Sequence, residues 1–178
     1  MEVGRVTVVR RLIVVRHAKS AWPAEVDDHD RPLAKRGRRD APAAGRWLRG
    51  CGHVPDLVLC STAVRARRTW ELAAAALDAP PPVVHDMNLY HAGARELLDT
   101  LRRTAPGTET VLLVGHNPAV QELVLSVART AADDALARAR EKFPTCAIAV
   151  LEWQGSWAFL GPGVARLTAF EVARGQRT

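Results

Sequence analysis

Four basic side chains suited to binding an oxyanion follow apolar segments of the sequence. In chain order they are Arg16, His17, Arg65 and His116. Guanidinium groups match the oxygens of a phosphoryl group bidentately, and a neutral imidazole can act as a nucleophile. If the fold gathers these four residues, they form a compact cationic pocket whose expected guest is an oxyanion.

The segments that precede these residues have the composition of buried strands. Val6 to Val15 is a near-continuous β-branched run, Asp56 to Cys60 is short and apolar, and Val111 to Val114 is strongly apolar. In open α/β sheets, ligands bind outside the carboxyl ends of the strands. The turns that follow these three segments are therefore where we expect the functional residues to meet.

The turn Gly115-His116-Asn117-Pro118 also predicts the start of a helix that continues to about Ala128. Asn117 is the expected cap, and Pro118 is the expected first helical residue. The free N–H groups and the positive dipole end of this helix would then point toward the pocket.

The rest of the chain predicts strands that alternate with helices. The predicted helices cover Leu33 to Arg49, Ser61 or Thr62 to about Leu77, Gly93 to Arg103, and Ala131 to Lys142. The further strands are Val83 to His85, a hairpin of Ala147 to Trp153 with Trp157 to Leu160, and an edge strand from Gly163 to Phe170. This order favours a three-layer α/β/α sandwich around a mostly parallel sheet, finished by antiparallel strands.

Length and composition are those of an ordinary globular chain. At 178 residues we expect a single domain over residues 1–178. Hydrophobic residues make up 48% and charged residues 25%, which disfavours disorder and rod-like folds. The apolar runs fall far short of the ~20 residues that cross a bilayer, and the N-terminus lacks a secretory signal pattern. We therefore expect a cytoplasmic protein with no membrane partner.

Cysteine and tryptophan are expected to serve packing rather than chemistry. Cys51, Cys60 and Cys146 show no CxxC spacing, which argues against a disulfide framework or a zinc site and favours burial as small hydrophobic residues. The tryptophans are likewise interpreted as core or packing residues: Trp22, Trp47, Trp70, Trp153 and Trp157.

The positive charge of the chain leaves several partners open. Twenty-five basic and 19 acidic residues give a net charge of +6, which could serve nucleic acid, an anionic membrane or a phosphorylated substrate, or could reflect a GC-rich genome. Aromatic residues make up only 5% and the arginines are scattered, which disfavours a nucleic-acid-binding stripe. A phosphate-binding protein without catalysis is a further alternative.

The sequence resembles the histidine phosphatase superfamily, which includes the cofactor-dependent phosphoglycerate mutases. Within it, the sequence is most similar to the small phosphohistidine phosphatases of the SixA type. The resemblance covers most of the chain and is carried by Leu12 to Ser20, Asp30-Arg31-Pro32-Leu33 with Arg36-Gly37, Ser61 with Arg65-Ala66 and Thr69, Gly115-His116-Asn117-Pro118, and Phe143-Pro144-Thr145.

The resemblance implies a phosphoglycerate mutase-like fold and phosphoryl transfer in two steps through a covalent phosphohistidine. His17 would be the nucleophile, with the proton of its other ring nitrogen held by a backbone carbonyl or a similar partner. Arg16, Arg65 and His116 would bind the equatorial oxygens and stabilise the transition state. The further substrate-binding candidates are Ser20, Arg31 and Asn117. The scheme requires no metal and no cofactor, and a phosphate or sulfate ion would fit the pocket.

The family pattern is incomplete at the position of the general acid. Family members that cleave phosphomonoesters usually carry an acid near the end of the third strand, and here the candidates are Asp86 and His91. Ala18 and Thr62 also replace the glycine and proline of many members. A phosphohistidine has a labile P–N bond and needs a strong acid less than an ester does.

A chain of this length leaves no long insertion to form a lid, so we expect an open site. The predicted substrate is therefore phosphohistidine on a phosphotransfer protein, and the alternative is a small phosphoester such as a sugar phosphate. Surface arginines could meet an acidic protein partner: Arg36, Arg38, Arg39, Arg67 and Arg68.

Overall fold

The structure is a computed structural model that describes residues 8–176, and it is built on one seven-stranded sheet. The strands are β1 (Val9–Arg16), β2 (Leu57–Ser61), β3 (Val83–Asp86), β4 (Thr110–Gly115), β5 (Ala128–Ala131), β6 (Ala147–Gln154) and β7 (Ala165–Val172). Their order across the sheet is β3-β2-β4-β1-β6-β7-β5. Strand β6 pairs antiparallel with β1 and β7, and the other pairings are parallel.

Helices cover both faces of the sheet. They are α1 (Lys35–Gly50), α2 (Val64–Ala74), α3 (Asn88–His91), α4 (Ala94–Arg102), α5 (Ala119–Val127) and α6 (Ala135–Glu141), with short 3-10 turns at Asp28–Asp30 and Trp157–Phe159. Successive strand residues point to opposite faces, so Ile13 packs with α1 and α2 while Leu12 and Val14 pack with α4 and α5. The predicted three-layer α/β/α sandwich with a mostly parallel sheet is confirmed.

The sheet brings three turns to one edge. Strands β1, β4 and β2 are parallel neighbours, and their register pairs Arg16 with Gly115 and Cys60 with Val114. The residues that follow the three strands therefore emerge side by side. This arrangement places the segment after Arg16, the segment after Ser61 and the segment after Gly115 around a common space.

The order of the C-terminal strands differs from the prediction. Trp157–Phe159 forms a 3-10 turn rather than a strand, and the Trp157 indole N–H donates to the carbonyl oxygen of Thr108 at 2.7 Å. Strand β6 therefore forms its hairpin with β7. The predicted edge strand exists as β7, but it lies inside the sheet because β5, which sequence analysis missed, pairs with its outer side.

The predicted helix starts are also corrected. Helix α5 begins at Ala119, and the Asn117 amide donates to Gln121 and to the carbonyl of Phe143 instead of capping the helix. Helix α2 begins at Val64 with Ala63 at its N-cap, so neither Ser61 nor Thr62 caps it, and their hydroxyls contact His116 and His29 respectively. The start of the predicted first strand, residues 6 and 7, lies outside the described residues.

Two side chains predicted to be buried are exposed. Trp22 is 74% exposed in the loop after β1, where the Arg31 guanidinium covers one face of its ring at 3.1 Å. Cys51 is exposed after the end of α1, whereas Cys60 and Cys146 are buried as predicted. In the part of the chain that the structure describes, no helix combines the length and the apolar character needed to span a bilayer.

Candidate active site

The carboxyl ends of β1, β2 and β4 surround a cavity of about 240 Å³. Ten residues line it: Arg16, His17, Lys19, Ser20, Trp22, Arg31, Arg65, His116, Asn117 and Thr145. The four basic residues singled out from the sequence are therefore gathered in one place. Within residues 8–176, no group of three histidine, cysteine or carboxylate side chains is arranged to hold a metal ion.

A hydrogen bond at one ring nitrogen fixes the tautomer of the His17 imidazole. Its Nδ1 lies 2.8 Å from the carbonyl oxygen of Ala18, and its backbone N–H donates to the carbonyl of Gly115 at 3.1 Å. Because a carbonyl oxygen can only accept, the proton of the neutral ring belongs on Nδ1. Nε2 has no hydrogen-bond partner among the described residues, so its lone pair is available to an electrophile.

Burial and positive neighbours keep the His17 ring neutral. The residue is only 8% exposed, and burial lowers the pKa of His17 to about 3. Positive charge at His116, Arg65 and Arg16 acts in the same direction. The imidazole therefore retains its lone pair at neutral pH, as nucleophilic attack requires.

His116 faces His17 across the cavity, with the two ring centroids 5.1 Å apart. Its Nε2 lies 2.8 Å from the hydroxyl of Ser61, which also accepts the N–H of Ala63 at 3.3 Å. The Ser61 proton can then be donated to Nε2, which leaves the imidazole proton on Nδ1. That Nδ1 atom is buried and has no hydrogen-bond partner within residues 8–176. Burial, with the charge of Arg65, lowers the pKa of His116 to about 4.

Arg16 continues from β1 into the cavity. One of its Nη atoms donates to the carbonyl of Phe143 at 2.8 Å, while its Nε is buried and has no partner among the residues that the structure describes. Burial lowers the pKa of Arg16 from its ordinary value. The Asn117 side-chain oxygen is also buried, and it likewise lacks a partner in the described part of the chain. Orphaned buried polar groups are costly, so these atoms favour a bound polar ligand.

Arg65 enters from the first turn of α2 and is 6% exposed. Its two Nη atoms donate to the backbone carbonyl and the carboxylate of Asp28, the latter at 3.0 Å. The same carboxylate accepts from Arg31 at 2.8 Å and from the Tyr90 hydroxyl at 2.6 Å. These hydrogen bonds hold the pKa of Asp28 far below its usual range and raise the pKa of Tyr90.

Sequence analysis missed Asp28 and Tyr90. The only local signal was the acidic run Asp27-Asp28-His29-Asp30 in the loop between β1 and α1, which carries no helix or strand periodicity. Arg31, which was singled out, is oriented by the same cluster, and it also donates to the Ser20 hydroxyl and to the carbonyl of Ala21. Ser20 and Arg31 both line the cavity.

The structure does not place Asp86 or His91 on the cavity. The Asp86 carboxylate accepts from the backbone N–H of Asn88 at 2.8 Å and from its side chain at 2.9 Å, so it is turned toward the start of α3. His91 is exposed, and its ring lies 4.2 Å from that of Tyr90. Strand β3 is at the edge of the sheet, with β2 between it and the rest of the site. Neither residue lines the cavity, and their role as the general acid stays a prediction.

Comparison with known proteins agrees with this geometry. The family model of the histidine phosphatase superfamily (branch 1) matches residues 12–94. The uncharacterized protein Rv1276c of Mycobacterium tuberculosis is 45% identical over 162 residues, which span 90% of this chain and 100% of that protein. The structure of a candidate phosphohistidine phosphatase SixA from Nakamurella multipartitia is 34% identical, with a TM-score of 0.79 over 93% of this chain and 96% of that one.

The chain belongs to the histidine phosphatase superfamily. It has the phosphoglycerate mutase-like fold that the sequence resemblance implied. Another histidine phosphatase, the protein histidine phosphatase SixA in complex with tungstate, is 25% identical, with a TM-score of 0.67 over 83% of this chain and 97% of that one. The superfamily model ends before β4, so His116 reaches the site from a segment beyond the matched range.

Proposed function

We propose that this histidine phosphatase hydrolyses phosphohistidine on a protein through a covalent intermediate at His17. The observation that carries the proposal is the state of that ring. Its Nδ1 proton is held by the Ala18 carbonyl. Its Nε2, which has no hydrogen-bond partner among the described residues, faces a cavity lined by Arg16, Arg65 and His116. A nucleophile beside donors for three phosphoryl oxygens is suited to phosphoryl transfer.

The reaction has two displacements at phosphorus. In the first, the Nε2 lone pair of His17 forms a bond to phosphorus while the bond to the leaving nitrogen breaks, and that nitrogen keeps the electron pair and is protonated from solvent. In the second, a water oxygen attacks phosphorus, the P–Nε2 bond breaks, and the water releases a proton. Arg16, Arg65 and the Nδ1–H of His116 stabilise the charge on the phosphoryl oxygens in both transition states.

The carboxylates near the cavity favour phosphohistidine over an ester. Asp28 is the carboxylate that binds Arg65, and its lowered pKa keeps it ionised and unable to donate a proton at neutral pH. An alkoxide leaving group needs such a donor more than the nitrogen of a phosphohistidine does. Similarity to SixA proteins, one of them holding the tetrahedral oxyanion tungstate, supports the same substrate class.

Access to the cavity is compatible with a protein-borne substrate. Lys19 and Trp22 line the cavity and are exposed to solvent. A histidine on the surface of another protein can therefore approach Nε2 of His17 from this side.

The substrate class is tested by steady-state kinetics. We expect kcat/KM for a phosphohistidine peptide to exceed the values for p-nitrophenyl phosphate and a panel of sugar phosphates. A higher kcat/KM for the sugar phosphates would replace the proposal with that of a small-molecule phosphomonoesterase.

The nucleophile is tested by substitution. We expect His17→Ala to lower kcat by about 10³-fold or more and to abolish an acid-labile phosphoenzyme trapped by rapid quenching. Arg65→Ala and His116→Ala should lower kcat by about 10²-fold, since each removes a preorganised donor. The matched control is His85→Ala, which changes an exposed histidine of β3 outside the cavity. Near-normal turnover by His17→Ala would reject the mechanism.

A further inference from the structure

A second positively charged depression adjoins the catalytic cavity. It has a volume of about 360 Å³ and shares Arg16, Lys19 and Thr145 with the cavity. Its other lining residues are Arg36, Lys142, Pro144 and Arg174. We refer to the depression lined by these seven residues as the basic groove.

A buried carboxylate fixes two arginines of the basic groove. Asp40 is 1% exposed, and its Oδ2 lies 3.4 Å from Nε of Arg36 and 3.3 Å from an Nη of Arg174. Its Oδ1 accepts the backbone N–H of Gly175 at 3.1 Å. Arg36 belongs to α1 and Arg174 to the segment after β7, so Asp40 joins two distant parts of the chain at this place.

Both arginines are also tied to the wall that the groove shares with the cavity. Arg36 donates to the Thr145 hydroxyl at 3.3 Å, and Arg174 donates to the Thr145 carbonyl at 3.0 Å. The exposed guanidinium groups are therefore held in position rather than free to rotate in solvent. Such preorganised donors bind an anion with a smaller loss of side-chain entropy.

The groove carries more positive charge than its own contacts neutralise. Five of its lining side chains are cationic, and Asp40 offsets one of these charges. Within residues 8–176, neither Lys19 nor Lys142 forms an ion pair. Like charges at close range repel one another, and this repulsion is relieved when an anion binds.

The proposed phosphoryl transfer does not require most of the cationic side chains of the basic groove. The three donors of the proposed mechanism are Arg16, Arg65 and His116, and only Arg16 also lines the groove. Arg36, Lys142 and Arg174 are absent from the lining of the catalytic cavity. Their position beside the cavity suits a group attached to the same molecule as the phosphoryl group.

We propose that the basic groove binds a second anionic group, a carboxylate or a phosphate, carried by the substrate whose phosphoryl group enters the catalytic cavity. The inference rests on the proposed phosphatase function and narrows its substrate to a class with two anionic groups. Such a group can be supplied by acidic residues that flank a phosphohistidine or by the second phosphate of a small bisphosphate. Charge complementarity of this kind selects among partners.

The test compares substrates that differ only in the second anionic group. One pair is a phosphohistidine peptide with two flanking aspartates and the same peptide with two asparagines; the other is a sugar bisphosphate and the corresponding monophosphate. At low salt, we expect kcat/KM to be about tenfold higher for the more acidic member of one pair, mainly through KM, and the difference to shrink in 0.5 M NaCl. A preference confined to the peptides identifies a protein-borne group, and one confined to the sugars identifies a small molecule.

Matched variants locate the effect. Arg36→Ser/Lys142→Ser should reduce the tenfold preference to about twofold or less. Arg95→Ser/Arg129→Ser removes two exposed positive charges outside the groove and should leave the preference intact. Because Arg36 also contacts Asp40, its replacement could disturb the fold, so Lys142→Ser alone serves as the second variant. The Lys142 side chain forms no hydrogen bond or ion pair among the described residues. Circular dichroism verifies the folding of each variant.

The outcomes separate this inference from the proposed function. Equal kcat/KM within both pairs, or an equal loss of preference in the control variant, overturns the basic groove as an anion site while leaving the phosphatase intact. Turnover of sugar phosphates without turnover of either peptide overturns the phosphohistidine proposal, and the bisphosphate pair then decides the groove. When no turnover is detected, fluorescence anisotropy measures the affinity of the protein for the two labelled peptides. Equal affinity for the aspartate and asparagine peptides overturns the basic groove as an anion site.

Discussion

At the scale of single residues, the two histidines of the cavity determine how stability depends on pH. Burial lowers the pKa of His17 to about 3 and that of His116 to about 4, against 6.5 for an unperturbed histidine. Between pH 6.5 and pH 4 the unfolded chain therefore binds protons at these positions that the folded chain does not bind. The free energy of unfolding consequently falls as the pH is lowered through this window.

We expect this loss to approach about 1.4 kcal/mol per pH unit for each histidine. Urea unfolding of the protein between pH 7 and pH 4.5 measures it. His17→Asn and His116→Asn should each flatten the pH profile relative to that of the unsubstituted protein. An unchanged slope in both cavity variants would contradict the burial of two neutral imidazoles. The pKa of His53 is also lowered by burial, but its contribution is common to all three proteins.

Asp28 and Asp86 differ in what their carboxylates contact. Asp28 binds Arg65 and Arg31 on the cavity, whereas the hydrogen bonds that the Asp86 carboxylate forms within the described residues go to Asn88. We expect Asp28→Asn to lower kcat by about tenfold, because Arg65 loses a charged partner that orients it. Asp86→Asn should leave kcat within about twofold of the unsubstituted protein, since it touches no donor of the proposed mechanism.

Steady-state kinetics with a phosphohistidine peptide compares these two variants. A larger loss of kcat in Asp86→Asn than in Asp28→Asn would place the general acid at the end of β3, as the sequence suggested. Asp86 would then have to move into the cavity when the substrate binds.

At the scale of secondary-structure elements, α1 supports the segment that carries His17. A Cβ atom at Gly37 would overlap the backbone oxygen of Lys19, which also accepts the N–H of Ala34 at 2.9 Å. We expect Gly37→Ala to lower the free energy of unfolding by about 1–3 kcal/mol and to reduce kcat, because Lys19 is two residues from His17.

The control for this prediction is Gly50→Ala at the last residue of α1, where a Cβ atom would meet open space. Its stability should be unchanged or higher by up to about 1 kcal/mol, because alanine loses less backbone entropy on folding than glycine does. Denaturant unfolding and kcat measured on both variants check the pair. Equal stability of the two variants would show that α1 and the loop after β1 can separate without cost.

The elements that sequence analysis located correctly are those with a strong local pattern. Strand β1 contains the buried apolar run Leu12 to Val15, and β4 contains the buried apolar run Val111 to Val114, so composition alone identifies both strands. Strand β5 is short and half exposed, and it pairs with β7 at the edge of the sheet. Nothing in its four residues distinguishes it from the neighbouring helices. The partner of β6 was misassigned because an apolar segment such as Trp157–Phe159 can be buried as a 3-10 turn as well as a strand.

At the scale of the whole molecule, the catalytic cavity and the basic groove lie side by side at the carboxyl edge of the sheet and share Arg16, Lys19 and Thr145. Arg16, Arg65 and His116 supply the donors for the phosphoryl oxygens, and the basic groove adds charge beside them. Because these groups stabilise the transition state in the proposed mechanism, we expect EDTA to leave kcat/KM unchanged. Loss of activity with the chelator and its recovery on adding Mg²⁺ would show that a metal ion takes part.

The sequence by itself determined the alternation of strands and helices and the presence of a basic residue after each of three strands, because these features depend on local composition. It also placed His17, Arg16, Arg65 and His116 at one edge, since parallel strands share the direction of their carboxyl ends.

Only the tertiary structure decided which polar side chains contact the basic residues of the cavity and the groove. Asp28 binds Arg65 across 37 residues of chain, Ser61 binds His116 across 55, and Asp40 binds Arg174 across 134. Such contacts join segments whose own sequences carry no shared pattern. They depend on how the loops pack around the finished sheet, which no short window of the chain contains.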